Sequence, residues 1–467
     1  MSRDSSYTDL FVGVDTKVPL LGGQLRRYVN LDNAASTPAL KSVQDAVNQF
    51  LPYYSSVHRG TGFKSQISTQ AYEDARTTVL HFVGANPLVH TCIFGKNTTE
   101  AINKLAHRFP FQPGKDIVIT SGMEHHSNDL PWRSVANTIH VGLHQDGRLD
   151  LDNLDACINN YRGQIALVAI TGASNVTGFM NPIHEIAAKA HEMGAKILVD
   201  CAQLAPHRKI DMGAADDPGR LDFVTISAHK LYAPFGTGAI IGLKETFEKG
   251  DPDMTGGGTV EIVTLDEVIW SEPPEREEAG SPNTVGAVAL AVAVNTLSRI
   301  GMDLIAEHEA RLTAYTLEGL EKISEIRVFG DPDPARAAHR LGVVPFMLKN
   351  ATHFKAAAIL GYEFGIGVRS GCFCAHPYIL HLLGLNREQA QRVRSSIMAG
   401  DRSEMPGLVR ASFGLYNTFE DVDVLLEALQ RISNDEYKGR YTQDQASGEY
   451  KPSNWLPDFE RFFSIDG

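Results

Sequence analysis

Two apolar segments of this sequence each end beside a residue that is able to do chemistry. Asp200 closes the β-branched run at residues 196–200, and Lys230 follows the run at residues 222–227 within Ser227-Ala-His-Lys230. Ligands of open parallel sheets bind beyond the carboxyl ends of the strands, so both side chains are expected to face one crevice. Each residue also has a purely structural interpretation, because Asp200 can cap a helix and Lys230 can occupy a solvated turn.

A lysine and a carboxylate at one crevice favour a particular cofactor. A lysine in a partly desolvated site has a lowered pKa and attacks carbonyl carbons as a nucleophile. A nearby carboxylate can keep a pyridine nitrogen protonated, which turns the ring into an electron sink. Lys230 and Asp200 therefore predict pyridoxal 5'-phosphate, with Lys230 as the Schiff-base residue and Asp200 as the partner of the ring nitrogen.

Several short apolar runs have the composition of strands that are buried on both faces. They cover residues 116–121, 165–171, 196–200, 222–227 and 238–242. A helical pattern at residues 183–193 lies between two of them, and alternation of strands with helices is typical of a mainly parallel sheet with helices on both sides. The fold class predicted for this part of the chain is therefore α/β.

The second half of the sequence predicts a smaller α+β domain. The Ala-rich segment 285–300 is apolar nearly all round, which predicts a buried helix that connects two units. Residues 301–435 then mix helices (303–323 and 418–432) with strands (343–348 and 408–413). The predicted organisation is an N-terminal arm (1–30), a large domain (31–295), a small α+β domain (296–435) and a C-terminal tail (436–467).

Composition and charge exclude several classes of function. The 467 residues include 43 Lys and Arg against 56 Asp and Glu, a net charge of −13 without a long basic block, so no nucleic-acid partner is expected. The apolar stretch 285–294 is too short for a bilayer, which needs about 20 residues, so no membrane span is expected. Five cysteines and a polar start without a secretory pattern indicate a reducing, cytoplasmic location. A small-molecule substrate is the remaining expectation.

The residues around Asp200 and Lys230 resemble a known enzyme family. Val199-Asp-Cys-Ala-Gln203, followed by Ser227-Ala-His-Lys-Leu-Tyr-Ala-Pro-Phe-Gly236, resembles the class V, fold-type I pyridoxal-phosphate enzymes. Within that class, the sequence is similar to the group II cysteine desulfurases and selenocysteine lyases from residue 31 to about 432. The resemblance implies a fold-type I transferase architecture, with a mainly parallel seven-stranded sheet and a smaller α+β C-terminal domain.

The resemblance assigns roles to residues around the cofactor ring. Lys230 matches the Schiff-base lysine, Asp200 the partner of the pyridine nitrogen, and Gln203 a donor to the ring hydroxyl. His125 is the first histidine of the motif Met-Glu-His-His-Ser-Asn at residues 123–128. It matches the histidine that stacks on the ring and can also handle protons. The second histidine of the motif has no assigned role.

Another group of residues is expected to hold the cofactor phosphate. Residues 95–102, Gly-Lys-Asn-Thr-Thr-Glu-Ala-Ile, look like a loop that enters a helix, where backbone N–H groups and hydroxyls bind anions. Thr98 and Thr99 therefore fit a phosphate site, with Ser227 and His229 contributing from the lysine loop. An ordinary helix start is the alternative for the threonines. Ser281 resembles a family residue that reaches a phosphate across a dimer interface, which implies a homodimer.

An amino-acid substrate needs a group for its carboxylate, and arginine binds carboxylates bidentately. Arg369 matches the family's carboxylate-binding arginine and Arg59 is a second candidate, with a surface ion pair as the alternative for both. Asn175 matches an asparagine near the ring and the substrate. Cys374 matches the family's nucleophilic cysteine, whose thiolate takes sulfur directly from a substrate. The implied reaction converts L-cysteine to L-alanine with a persulfide on Cys374, and a sulfur-acceptor protein is the implied partner.

The loop before Cys374 departs from this pattern. The desulfurases that it resembles carry two histidines there, whereas this chain has Cys372 and Phe373, an arrangement also similar to the desulfurase domain of molybdenum-cofactor sulfurases. Cys372 is interpreted either as a relay for the persulfide or as a packed small side chain. No metal site is predicted, because Cys372, Cys374 and His376 are too close in sequence to complete a tetrahedral shell.

Two other functions remain open at the level of the sequence. Another class V enzyme, such as a C–S lyase acting on a cysteine conjugate, an aminotransferase or an epimerase, would use Lys230 and Asp200 without needing Cys374. A non-catalytic scaffold would keep the fold alone, but the intact Lys230, Asp200 and Gln203 argue against it.

Overall fold

The computed structural model describes residues 7–58, 60–453 and 455–465. The α-helices in this part of the chain are α1 (Lys41–Phe50), α2 (Phe63–Phe82), α3 (Thr98–Arg108), α4 (Leu130–Val135), α5 (Leu151–Asn160), α6 (Ile183–Glu192), α7 (Lys244–Phe247), α8 (Thr284–Ile300), α9 (Met302–Glu321), α10 (His353–Ile359), α11 (His376–Leu382), α12 (Arg387–Met398) and α13 (Phe419–Ser433). The strands are β1 (Lys17–Pro19), β2 (Leu25–Arg27), β3 (Val29–Asn30), β4 (His90–Gly95), β5 (Ile117–Ser121), β6 (Asn137–Val141), β7 (Ile165–Thr171), β8 (Lys196–Asp200), β9 (Phe223–Ser227), β10 (Gly238–Leu243), β11 (Val260–Val263), β12 (Val268–Trp270), β13 (Ile326–Val328), β14 (Val343–Leu348), β15 (Ile366–Gly367), β16 (Arg369–Gly371), β17 (Leu408–Ser412), β18 (Tyr441–Gln443) and β19 (Tyr450–Pro452).

A seven-stranded sheet forms the centre of the larger unit. Its strand order is β4-β10-β9-β8-β7-β5-β6, and the pairs from β9 to β6 are all parallel. Strand β10 is antiparallel to both of its neighbours, β9 and β4. The predicted mainly parallel sheet is therefore confirmed, and five of its strands match the apolar runs predicted from the sequence.

Both faces of this sheet are buried, which explains the near-continuous apolar runs. Successive side chains of a strand point to opposite faces. In β8, Ile197 and Val199 belong to one hydrophobic cluster and Leu198 to another. A strand that packs on both sides needs apolar residues at most of its positions, so a regular alternation of apolar and polar residues is absent from its sequence.

The polar ends of these strands create the site. Strand β8 ends at Asp200, and β9 ends at Ser227 before a 3₁₀ turn, Ala228–Lys230. Because β7, β8 and β9 run in parallel, their carboxyl ends lie at one edge of the sheet. The fold thus brings Asp200 and Lys230 to the same edge of the sheet.

A four-stranded antiparallel sheet forms a second core. Its order is β13-β14-β17-β16, and α9, α10 and α13 pack around it. The hydrophobic cluster of this unit also contains Val29 and Leu31, because β3 pairs in parallel with β15. The α+β character expected for residues 296–435 matches these elements, while the domain limits themselves stay predictions.

Helix α8 is the buried apolar helix expected at residues 285–300. It packs against α1 and α2 in the larger unit and is followed directly by α9. Among the described residues, no single helix is both long enough and apolar enough to cross a membrane. Helices α8 and α9 meet such a test only as a pair, by length and composition, across a bend of 78°.

The polar segment after residue 436 is partly packed. Strands β18 and β19 form a hairpin, and Tyr437 and Tyr441 contact the second core. The Trp455 ring meets the Tyr362 ring edge-on at 5.9 Å. The apolar side chains that follow are exposed, namely Leu456, Phe459, Phe462, Phe463 and Ile465.

Candidate active site

A cavity of about 400 Å³ lies at the carboxyl ends of the parallel strands, between the two cores. The residues predicted from the sequence that line it are Thr98, Thr99, His125, Asn175, Asp200, Gln203, Ser227, His229, Lys230, Arg369 and Cys374. Ser281 lies outside it, beside a separate cavity of about 670 Å³. Its predicted role in the site of a partner subunit stays a prediction. Arg59 lies outside the described residues.

Lys230 and Asp200 line this cavity together, as the sequence predicted. Asp200 is 4% exposed and accepts a hydrogen bond from the Ala202 N–H at 2.9 Å. Burial raises the pKa of Asp200, and the Ala202 N–H and the Lys230 ammonium oppose that rise. Burial lowers the pKa of Lys230 to about 8, although Asp200 acts in the opposite direction. Lys230 is therefore much closer to its neutral, nucleophilic form than an exposed lysine is.

His125 presents a neutral ring to the cavity. It follows β5, and its Nδ1 accepts a hydrogen bond from the Ser127 N–H at 3.1 Å. A backbone N–H can only donate, so the hydrogen of the neutral ring is on Nε2. Burial, together with the charge of Lys230, lowers the pKa of His125 to about 3. An uncharged flat ring of this kind suits stacking on an aromatic ligand.

The start of helix α3 supplies the anion-binding end of the cavity. The helix is capped by Asn97, whose Oδ1 accepts a hydrogen bond from the Glu100 N–H at 3.0 Å. The Thr98 N–H donates to Ser227 Oγ at 2.9 Å, and Ser227 Oγ donates to Thr98 Oγ1 at 2.9 Å. Thr99 Oγ1 lies 2.7 Å from Ser127 Oγ. The helix start and the lysine loop thus bring hydroxyls to the positive end of one helix dipole, which favours an anion.

His229 completes this end of the cavity. Burial and the Lys230 charge lower its pKa to about 4, so the ring is neutral near neutral pH. Its backbone oxygen accepts hydrogen bonds from the Thr37 N–H at 2.9 Å and from Thr37 Oγ1 at 3.0 Å. The lysine loop is thereby fixed to the segment that follows β3.

Two arginines face the cavity from the small unit. Arg410 Nη2 donates to Asp32 Oδ1 and Arg369 Nε lies near Asp32 Oδ2, both at 3.0 Å. Arg410 also donates through Nη1 to the Asn175 backbone oxygen at 2.9 Å. It is buried, whereas the Arg369 side chain is about half exposed. Two positive charges share one carboxylate, so this wall of the cavity carries an excess positive charge.

Asn175 and Gln203 tie the cavity walls together. Asn175 Nδ2 donates to the Phe373 backbone oxygen at 2.7 Å, which connects the end of β7 to the loop of Cys374. Gln203 Nε2 donates to the Ala34 backbone oxygen at 2.6 Å. Both side chains are buried, so they position backbone segments as well as lining the cavity.

The two neighbouring cysteines of the loop differ sharply. Cys374 is exposed and lines the cavity mouth, while Cys372 is 4% exposed. The Cys372 thiol donates to the Pro406 backbone oxygen at 3.0 Å, and burial raises its pKa to about 12. The packed interpretation of Cys372 matches these contacts, and Cys374 is the thiol within reach of a substrate.

Residues 29–425 match the family model described as aminotransferase class-V. The chain belongs to the class-V aminotransferase family. A cysteine desulfurase of Serratia proteamaculans is 35% identical over 433 residues, covering 90% of this chain and 97% of the relative. The apo structure of cysteine desulfurase from Thermococcus onnurineus NA1 has a TM-score of 0.76 and 31% identity, over 93% of this chain and 100% of that chain. The cysteine desulfurase CsdA from Escherichia coli, solved in an S-sulfonic acid form, has a TM-score of 0.73 and 29% identity, over 88% and 96%.

These matches confirm the family resemblance and the fold class predicted from the lysine and aspartate motifs. Class-V enzymes use pyridoxal 5'-phosphate, and the donors of this cavity fit that group. The Lys230 amine suits the aldehyde of this cofactor. The buried carboxylate of Asp200 suits its ring nitrogen, and the His125 ring suits the face of its pyridine ring. The hydroxyls at the start of α3 suit its phosphate. The cavity volume also lies within the usual range for a small-molecule site.

Arg410 lines the cavity, and sequence reasoning missed it. Its Nε is buried and has no hydrogen-bond partner among the described residues, while the other guanidinium nitrogens bind Asn175 and Asp32. A charged residue in the middle of an apolar strand, Leu-Val-Arg-Ala-Ser in β17, was the available signal. Buried charges are rare unless they have a partner or a ligand, so a charge at this position indicates one of the two.

Proposed function

We propose that this protein is a pyridoxal 5'-phosphate-dependent cysteine desulfurase that converts L-cysteine to L-alanine and receives the sulfur on Cys374 as a persulfide. The observation that carries the proposal is that one cavity brings together a desolvated lysine, a buried carboxylate and an exposed thiol. The names of the relatives point in the same direction. When bound, the cofactor withdraws electrons from the bonds around the substrate's α-carbon.

The floor of the cavity, which consists of Asp200, Lys230 and His125, holds the cofactor and moves protons. Lys230 binds the cofactor covalently and, in its neutral form, is the base that takes the proton from the substrate's α-carbon. Asp200 would keep the ring nitrogen protonated, because a buried carboxylate stabilises a nearby cation strongly. Thr98, Thr99 and Ser227 hold the phosphate, with His229 next to them.

The arginine wall orients the substrate. Arg410 and Arg369 share Asp32, so a substrate carboxylate neutralises the remaining positive charge. We assign the main contact to Arg410, because this residue lines the cavity and is buried, so that water screens its charge little. Arg369 lies nearer to solvent and contributes a weaker, screened interaction.

Cys374 performs the sulfur transfer at the cavity mouth. Its thiolate attacks the substrate sulfur, so that an S–S bond forms while the C–S bond of the substrate breaks. The electron pair of that bond stays with the three-carbon fragment, which takes up a proton and leaves as alanine. The thiol of Cys374 and L-cysteine are thus converted to a persulfide and alanine, with no external oxidant. Because Cys374 is exposed, a sulfur-acceptor protein in the cytoplasm is the proposed recipient.

A second copy of the chain is the proposed partner for the β11–β12 hairpin. The hairpin exposes Ile262, Val263 and Leu265, and Ser281 lies at the neighbouring cavity. Exposed apolar patches of this kind mark interfaces. Light scattering should give a dimer mass, and Ile262→Asp should lower it. Leu456→Asp, at an even more exposed apolar residue of the tail, is the control and should not. A monomer mass for the unaltered protein contradicts this partner.

Product analysis with L-cysteine tests the reaction. Equal amounts of alanine and, with a thiol reductant, sulfide should form, and the peptide that carries Cys374 should gain one sulfur atom. Cys374→Ser should abolish both products without changing the absorbance of the bound cofactor. Cys372→Ser is the matched control and should keep turnover. Continued turnover in Cys374→Ser would instead favour another class-V reaction, such as C–S cleavage of a cysteine conjugate.

A further inference from the structure

The loop of Cys374 has an unusual backbone conformation. Phe373 and Cys374 have φ angles of +52° and +54°, two successive non-glycine residues in the left-handed region. Side chains with a Cβ rarely adopt this region, and such strain persists only where surrounding contacts impose it. The position of the Cys374 sulfur therefore depends on the groups that hold this short stretch of backbone.

The contacts before Cys374 account for part of that restraint. Asn175 Nδ2 donates to the Phe373 backbone oxygen at 2.7 Å, and the Arg410 guanidinium lies 4.8 Å from the centre of the Phe373 ring. These contacts hold Phe373, but neither of them involves the carbonyl of Cys374.

His126 holds the other side of Cys374. Its backbone N–H donates to the Cys374 backbone oxygen at 2.8 Å, and its ring Nε2 accepts from the His376 N–H at 3.3 Å. The His126 and His376 rings stack with centroids 5.0 Å apart and planes only 7° from parallel. One residue therefore contacts the chain immediately before and immediately after Ala375.

The hydrogen positions of this pair follow from the backbone donor. Because the His376 N–H can only donate, Nε2 of His126 is an acceptor and carries no hydrogen. The His376 Nδ1, 3.2 Å from the same Nε2, is then a donor. Partial burial lowers the pKa of both rings, which favours an unprotonated acceptor nitrogen.

We propose that His126, through its pairing with His376, is a positioning residue that orients the Cys374 thiol towards the cavity. His126 follows His125 directly, so one short segment places the ring over the cofactor site and also holds the sulfur-accepting loop. The pair occupies the space beside the cysteine in a chain that has Cys372 and Phe373 in front of it. This role rests on the proposed function, because it concerns the same thiol and the same transfer.

Substitutions at His126 separate the ring acceptor from general packing. The side-chain oxygen of His126→Gln can reach the place of Nε2, whereas that of His126→Asn reaches only the place of Nδ1. We expect His126→Asn and His126→Ala to lower kcat for alanine release by about 10²-fold, the cost of a small misplacement of reacting groups. His126→Gln should recover most of the rate. The KM for L-cysteine and the absorbance of the bound cofactor should stay unchanged in all three.

A second readout keeps this inference independent of the desulfurase reaction. The rate at which iodoacetamide alkylates Cys374 in the cofactor-free protein should change severalfold in His126→Ala and His126→Asn, but not in His126→Gln. His376→Ala, at an exposed residue, should change the rate in the same direction by less. Failure of the unaltered enzyme to release alanine would refute the proposed function, while the alkylation rates would still test the positioning role of His126. Equal alkylation rates in all variants, or a kcat loss that His126→Gln does not recover, would overturn the positioning role.

Discussion

The floor of the cavity and the loop at its mouth are built in opposite ways. On the floor, Asp200, Lys230 and His125 extend from ends of buried strands, and burial is the largest cause of each pKa shift. At the mouth, Cys374 is exposed and its backbone has a positive φ. The comparison shows that the proton and cofactor chemistry is set by desolvation in a rigid frame. The sulfur chemistry depends instead on a few hydrogen bonds that aim an accessible thiol.

Removal of the floor lysine should have the largest effect. Lys230→Ala should lower kcat at least about 10³-fold, because the residue both binds the cofactor covalently and moves the α-proton. The absorbance of the lysine-bound cofactor should disappear as well. Steady-state alanine release and an absorption spectrum measure the two effects. Substantial turnover in this variant would mean that the division between floor and mouth is wrong.

The two arginines give the next largest contrast. Arg410→Gln should raise the KM for L-cysteine by about 100-fold, since a buried charged hydrogen bond to the substrate is lost. Arg369→Gln should raise it by no more than about fivefold, because exposed ion pairs contribute little. Initial-rate kinetics over a range of L-cysteine concentrations measure both. Asp32 keeps one arginine in either variant, and circular dichroism should confirm that both fold. A larger effect at Arg369 would reverse the assignment.

The lowered pKa of Lys230 predicts how cofactor loading depends on pH. The neutral amine is the nucleophile, so protonation below a pKa of about 8 removes it. The loading rate of the cofactor-free protein should fall about tenfold for each pH unit below that value and level off above it. Stopped-flow absorbance after addition of the cofactor measures the rate. A rate that still climbs towards the pKa of an ordinary exposed lysine would show that the floor does not desolvate this amine.

The smallest effect is expected at the buried cysteine of the loop. Cys372→Ala should leave kcat unchanged and lower the free energy of unfolding by about 1 kcal/mol, through the loss of packing and of one weak hydrogen bond. Iodoacetamide should label Cys374 but not Cys372, whose pKa burial raises to about 12. Mass spectrometry of the two-cysteine peptide and thermal denaturation provide the measurements. A large drop in kcat would support the persulfide relay considered from the sequence.

Most strands of the larger unit could be predicted because each one is indicated by the apolar residues of its own short segment. β5, β7, β8, β9 and β10 are apolar along most of their length, as is typical of strands with two buried faces. β6, with the sequence Asn-Thr-Ile-His-Val, lies at the edge of the sheet and is only partly buried, so its pattern is weak. β4 begins with a buried histidine and threonine, and this start hides the apolar residues that follow.

Some residues of the site can be recognised from a short segment of sequence, whereas others can be recognised only from contacts between distant segments. Lys230, Asp200, Gln203 and His125 lie in compact motifs, and a motif can be recognised without the fold. The role of Arg410 can be inferred only from its contacts in the fold, such as the one with Asp32, which is 378 positions away in the chain. Pairings over such a distance leave no pattern in a single sequence, and neither does the difference in burial between Cys372 and Cys374.

The segment that follows β3 has a consequence for biosynthesis. The Leu31 backbone oxygen accepts from the Ser412 N–H at 2.7 Å, and the Ala34 N–H donates to Ser412 Oγ at 2.9 Å. Residues 31–34 are therefore made well before the strand against which they close the cavity. A nascent chain can assemble the seven-stranded sheet early, but the wall that carries Arg410 is added only after β17 has emerged from the exit tunnel.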